Sequence, residues 1–306
     1  MLGQYLITFR ETFEAALLLG VVLAYLARTG RADRARSVWT GAALAVLASA
    51  CLGAAVYALV GELPGAWLTL FEGAAALLAA AVLTWMILWM ALGSARIGEE
   101  IRGRVDGRLR GGLGMGLVGL AFILVFREGL ETVLFLAPNS VEQPGETFAG
   151  ASLGVLVAVA LAYMIFRLNK RIDLKRFFYL SSILLVLLAA GLVGYGTHEL
   201  LEYGEEAGLD TGPAGATAFD AGVPADSVWH KNGVVGSVFA VLFGYATKME
   251  WGRVITHLAY LAVFLPVTVM AYRNPQWLVN VWARLRTPTP RSRTFPPRSG
   301  PRPRTP

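Results

Sequence analysis

Arg10-Glu11-Thr12-Phe13-Glu14 and Arg127-Glu128-Gly129-Leu130-Glu131 repeat one pattern, R-E-x-x-E, and each copy is flanked by apolar residues on both sides. On a helix, glutamates three residues apart share a face, and each arginine lies one turn from the second glutamate of its own copy. Each copy therefore offers two carboxylates with a guanidinium braced against the second: Glu11 and Glu14 with Arg10, and Glu128 and Glu131 with Arg127. Near a bilayer centre each charge costs roughly 2.5 to 3.5 kcal/mol on insertion scales, so six unpaired charges would cost roughly 15 to 20 kcal/mol. Two arginines against four glutamates leave a residual charge of −2, and uncompensated buried charge is strongly unfavourable. A cation would complete the cluster. Carboxylate oxygens are hard donors, and the four groups facing one another would suit a single hard cation.

Two other readings compete. Both motifs could be structural salt bridges that lock helices together, a reading weakened by the appearance of two copies in corresponding places. The carboxylates could also relay protons, which is compatible with transport.

The elements that must hold these charges are membrane helices. The 306 residues are 56% hydrophobic and 16% charged, against about 25% charged in ordinary soluble domains. The net charge of +6 is concentrated in the stretch from Arg284 to Pro306, so no basic face for nucleic acid runs through the body of the chain. A single cysteine, Cys51, excludes an internal disulfide framework, and three histidines leave little for a zinc or copper site. Apolar runs long enough to cross the bilayer, about 20 residues each, are Gln4 to Ala27, Val38 to Gly61, Trp67 to Leu92, Leu113 to Ala137, Phe148 to Leu168, Phe177 to Leu201 and Val254 to Tyr272. The run from Val234 to Thr247 is too short and reads as a re-entrant or interfacial segment. The first run bears Arg10, Glu11 and Glu14 and has no basic leader, so it reads as a retained helix rather than a signal peptide.

The fold class expected is thus an all-α polytopic membrane protein with seven transmembrane helices. Spans one to three and four to six would form an inverted repeat, followed by one more helix, an architecture that places the site at the repeat interface. Gly112 with Gly116 and Gly150 with Gly154 form G-x-x-x-G pairs that suit close helix packing. Residues 1–273 form the membrane domain, and 274–306 an Arg/Pro-rich cytoplasmic tail read as disordered.

Orientation follows the basic loops. Arg28, Arg31, Arg34 and Arg36 follow span one; Arg96, Arg102, Arg104, Arg108 and Arg110 follow span three; Lys170, Arg171, Lys175 and Arg176 follow span five. These loops are expected inside, with the amino terminus outside and the carboxyl terminus cytoplasmic. Span one then runs inward and places Glu11 and Glu14 about 10 and 15 Å below its outer end, while span four runs outward and places Glu128 and Glu131 about 14 and 9 Å below its own. All four carboxylates fall at matching depth. Nearer the outer surface, Glu72 in span three and Glu199 and Glu202 at the end of span six, with His198, could form an entrance funnel, though solvated helix ends would look the same. The acids of the outer loop, Asp210, Asp220 and Asp226, read as solvating charges.

On the two R-E-x-x-E motifs and their place in spans one and four, the chain resembles the oxidase-dependent iron permease family, which includes the fungal high-affinity iron permease and bacterial EfeU-type permeases. The resemblance covers roughly Met1 to Arg273. It implies iron uptake across the cytoplasmic membrane, with ferric ion passed inward along Glu11, Glu14, Glu128 and Glu131 after an extracytoplasmic ferroxidase or iron-delivery protein has oxidised or supplied it. Glu199 and Glu202 look like the family's additional acidic motif. Nothing in the chain resembles an attached oxidase, so that partner would be a separate protein. The protein is expected not to be an enzyme and to keep no permanent cofactor, iron being its substrate. The donor chemistry alone leaves manganese and lead open. A membrane-embedded carboxylate oxidase is the rival from another class, but it usually wants Glu-x-x-His on two helices, and the sequence contains none. The lack of a P-loop argues against ATP drive within the chain.

Overall fold

The computed structural model describes residues 1–93, 103, 105, 114–140, 144–167, 174–224, 227–230, 234–274 and 276–277. Several residues singled out from the sequence lie outside these: Arg96, Arg102, Arg104, Arg108, Arg110, Gly112, Lys170, Arg171 and Asp226, and with them the Arg/Pro tail beyond Trp277.

Every apolar run becomes a helix, with ends within a few residues of the run that announced it. They are α1 (Leu2–Arg28), α2 (Ala35–Gly61), α3 (Gly65–Gly93), α4 (Gly114–Leu136), α5 (Pro144–Arg167) and α6 (Leu174–Glu206). The chain then makes a short strand β1 (Thr217–Asp220), a ten-residue helix α7 (Val234–Phe243), a strand β2 (Lys248–Glu250) and a last long helix α8 (Trp251–Arg273). Helices α2, α3, α5, α6 and α8 are long and apolar enough to cross a bilayer. Helices α1 and α4 match them in length, and each carries one R-E-x-x-E motif along its length.

Strands β1 and β2 pair antiparallel, with Thr217 opposite Glu250 and Asp220 opposite Lys248. The pairing decides how α7 runs. Its two flanks meet in one hairpin, so the chain between them leaves and returns on the same side, and ten residues span only about 15 Å. The hairpin also means that the fold, expected to be wholly helical, contains a small sheet, built where the sequence carries loop residues rather than an apolar run.

Helices α1, α3, α4 and α6 form the centre. Helix α5 lies along α1, α2 along α4, α3 along α6, and α8 along the other side of α6, while α1 meets α4. Close approach needs missing side chains: a Cβ on Gly154 would stand 2.7 Å from the Tyr5 carbonyl oxygen of α1, and one on Gly41 would collide with the Val118 carbonyl oxygen of α4. The main apolar core joins Ile7, Leu83, Met86, Phe135, Leu185 and Ala189. Leu44, Leu47, Leu153, Leu156 and Val159 project outward from α2 and α5 and are exposed. Side chains of that kind on the outside belong against lipid rather than water.

Candidate metal site

Arg10, Glu11 and Glu14 on α1 and Glu128 and Glu131 on α4 are all buried. Arg10 Nη1 donates to Glu11 Oε1 at 2.7 Å, and its Nη2 lies 2.6 Å from Glu14 Oε1. On α4, Arg127 Nε donates to Glu131 Oε1 at 2.9 Å. Helix α2 can press against this motif because the residue after Glu128 is Gly129, whose missing Cβ leaves room for Ser49.

Glu11, Glu128 and Glu131 come together across the two helices, each offering a carboxylate oxygen within 4.8 Å of the others. Glu11 Oε2, Glu128 Oε2 and Glu131 Oε2 are buried and have no hydrogen-bond partner among the described residues. In Glu11 and Glu131 the work is divided: one oxygen neutralises an arginine and the other stays bare. A bare buried carboxylate oxygen is costly, and three carboxylates that approach one another, each with such an oxygen, have the charge and donor type for a hard cation. Glu14 lies outside this triplet, one helical turn from Arg10 and held by it.

The two arginines, equivalent in sequence, are placed differently. Arg10 is 3% exposed, whereas the Arg127 side chain is 46% exposed, with its guanidinium 5.0 Å from the centre of the Trp89 ring. Both brace a glutamate of their own motif; Arg10 alone is fully enclosed.

A second cluster lies at the end of the bundle that carries the hairpin. His198, Glu199 and Glu202 of α6 offer ligand atoms within 4.8 Å of one another. His198 Nδ1 lies 3.1 Å from Glu250 Oε2 and Nε2 lies 3.7 Å from Glu202 Oε2. The Tyr195 hydroxyl donates to Glu72 Oε2 at 3.1 Å. These residues line a cavity of about 880 Å³, together with Arg253, Lys248 and Glu146, and the amino-terminal ammonium ion of Met1 binds Glu146 at 2.9 Å. Glu72 and Glu199 are buried, while Glu202 is exposed. The sequence-derived entrance acids thus share one space, whereas Asp210 and Asp220 do not line it and instead cap turns through the Gly212 and Gly222 amides.

Ile7, Phe135 and Leu188 also line the cavity, and all three are buried. Ile7 is one turn from Glu11 and Phe135 one turn from Glu131, each on the cavity side. One apolar layer therefore separates the cavity from the carboxylate triplet, and the four R-E-x-x-E glutamates do not line the cavity.

Glu250 and Arg253 escaped the sequence reading because they fall at the start of α8, just ahead of its apolar run. Their E-x-x-R spacing was the available signal. Met86 and Met90, which touch Arg10, had no signal beyond a four-residue spacing common to packed helices.

Comparison with known proteins gives the chain a family. The family model "Iron permease FTR1 family" matches residues 1–273. An uncharacterised protein of Archaeoglobus fulgidus is 44% identical over 272 residues, covering 89% of this chain and 96% of the relative. The ferrous iron permease EfeU of Yersinia pestis is 30% identical over 279 residues, covering 90% and 95%, and that of Escherichia coli O6:H1 is 32% identical over 278 residues, covering 89% and 97%. No solved structure matches the chain. The family is one of permeases rather than enzymes, and its membership fits the apolar helices of a multi-pass membrane protein. On the match over residues 1–273, the chain belongs to the FTR1 iron permease family.

Proposed function

We propose that this permease takes up iron across the cytoplasmic membrane through one ion site between α1 and α4, bound by Glu11, Glu128 and Glu131 and passed on to Glu14. The observation that carries the proposal is the set of three bare, buried carboxylate oxygens on Glu11, Glu128 and Glu131. An ion placed among them gains all three without dislodging either arginine from its glutamate. Iron is the substrate; the protein needs no resident cofactor.

Seven crossings and an inverted repeat are part of the same proposal. Exchanging α1, α2, α3 with α4, α5, α6 turns the α2 to α4 packing into the α5 to α1 packing and leaves the α1 to α4 and α3 to α6 contacts in place. That exchange is what a two-fold axis in the membrane plane would produce. The amino terminus and the acid-lined cavity face outward, and Arg28, Arg31 and Arg34, at the opposite end of α1, face the cytoplasm. Iron reaches the cavity lined by Glu72, His198, Glu199 and Glu202, crosses the layer of Ile7, Phe135 and Leu188 when it opens, and enters the triplet.

The all-oxygen donor set supports ferric ion as the species bound, delivered by a separate ferroxidase or iron-carrying protein. The EfeU relatives are named for ferrous iron, so both species belong in the test. Proteoliposomes holding the full chain are given Fe²⁺ under reducing conditions or Fe³⁺ as citrate, with Mn²⁺ and Pb²⁺ as competitors. Uptake that is abolished in folded Glu11→Gln and Glu128→Gln supports the site; undiminished uptake in both refutes it. Manganese or lead carried in preference to iron would reassign the substrate.

A further inference from the structure

Arg10 binds two acceptors that are not carboxylates. Its Nη1 donates to Met86 Sδ at 3.3 Å and its Nη2 to Met90 Sδ at 2.8 Å. Both methionines are 2% exposed and lie four residues apart on one face of α3, a helix that contributes nothing to the carboxylate triplet. Each Nη carries two hydrogens. Nη1 also donates to Glu11 Oε1, while Nη2 lies 2.6 Å from Glu14 Oε1 as an ion pair.

A guanidinium enclosed in apolar surroundings turns its hydrogens toward the strongest acceptors within reach. Around Arg10 these are carboxylates, Glu11 and Glu14 in contact with it and Glu128 acting on it through its charge, and the Oε2 atoms of Glu11 and Glu128 have no hydrogen-bond partner among the described residues. If it took them, the site would close as a private salt bridge, favourable for the charges and useless to an ion. Thioether sulfur is a weak, neutral acceptor. It occupies the remaining Nη hydrogens without adding charge, and as a soft donor it does not compete for a hard cation.

We propose that Met86 and Met90 are positioning residues for ion binding: by holding the Arg10 guanidinium toward α3, they keep the Oε2 atoms of Glu11 and Glu128 free. This holds only if α1 and α4 bind an ion as proposed for the permease. Leucine matches methionine in volume and removes the acceptor, so Met86→Leu/Met90→Leu isolates the sulfur from the packing.

The test is equilibrium binding of Fe³⁺, supplied as citrate, to the purified full chain in detergent. It compares wild type, the double leucine variant, the same double variant with Arg10→Lys, Arg10→Lys alone, and Glu128→Gln. The expected loss of affinity for the double leucine variant is about tenfold, the scale seen when a group that orients a metal ligand is removed. Met90→Leu alone should account for more of it than Met86→Leu. Adding Arg10→Lys should erase the difference between leucine and methionine, since a single ammonium cannot span two carboxylates and two sulfurs. If the double variant does not fold, the two single variants carry the same comparison. Equal affinity in leucine and methionine forms, or the same loss with and without Arg10→Lys, overturns the assignment and leaves the ion site standing. Binding that is indifferent to Glu128→Gln removes the ion site and this role with it.

Discussion

Arg10 and Arg127 hold the same place in a repeated pentapeptide, yet Arg10 is 3% exposed and Arg127 46%. Arg10 spends both Nη groups on two glutamates and two sulfurs, whereas Arg127 pairs with Glu131 and lies near a tryptophan ring. Lysine, a point charge, cannot reproduce a planar fork. Iron uptake in proteoliposomes is therefore expected to fall at least about tenfold in Arg10→Lys, the scale for lost support of a metal ligand, and to change far less in Arg127→Lys. Equal losses would show that the asymmetry of burial has no functional weight.

Glu14 and Glu128 separate binding from passage. Glu128 belongs to the triplet and Glu14 does not. Equilibrium iron binding should drop by roughly 10- to 100-fold or more in Glu128→Gln and much less in Glu14→Gln, while steady-state uptake falls in both. Matching binding losses in the two variants would put Glu14 in the same ion site.

Acid should weaken transport. A carboxylate binds a metal ion in its deprotonated form, so protons compete with iron and affinity rises with pH. Initial uptake measured from about pH 7 down to about pH 4 is expected to decline as the glutamates take up protons. Undiminished uptake at the acid end would exclude carboxylates as the ligands.

The layer of Ile7, Phe135 and Leu188 makes an accessibility prediction. In a Cys51→Ser background, the thiol introduced by Glu11→Cys should resist a membrane-impermeant reagent added from the cavity side, and should react with it when Phe135→Ala is added. Labelling is read by mass shift. Rapid labelling with Phe135 intact would mean that the layer does not seal the site.

Helix packing can be tested away from the charges. Gly154→Val forces a side chain against the Tyr5 carbonyl oxygen and the Phe9 amide, whereas Gly119, inside α4, has open space around its missing Cβ. The melting temperature in detergent should fall clearly for Gly154→Val and stay level or rise for Gly119→Ala, since alanine is favoured over glycine in a helix by up to about 1 kcal/mol. The reverse order would contradict the α1 to α5 contact.

The chain by itself determined its membrane character, the helical runs and the candidate ion-binding residues. Apolar length and misplaced charge are local properties, and a glutamate amid leucines announces its cost wherever the helix ends up. It also marked Glu72, Glu199 and Glu202 as companions, and these do share one cavity. Which carboxylates converge was a matter for the tertiary structure. Helical spacing places Glu11 and Glu14 on the same face, yet the rotation and approach of α1 and α4 bring Glu11 together with Glu128 and Glu131 and leave Glu14 to Arg10. The unequal burial of the two arginines, the sulfurs beside Arg10, and the hairpin that turns α7 back all come from residues far apart in sequence. Pattern within one helix carries no information about which neighbour covers which face, because that depends on how every other helix packs.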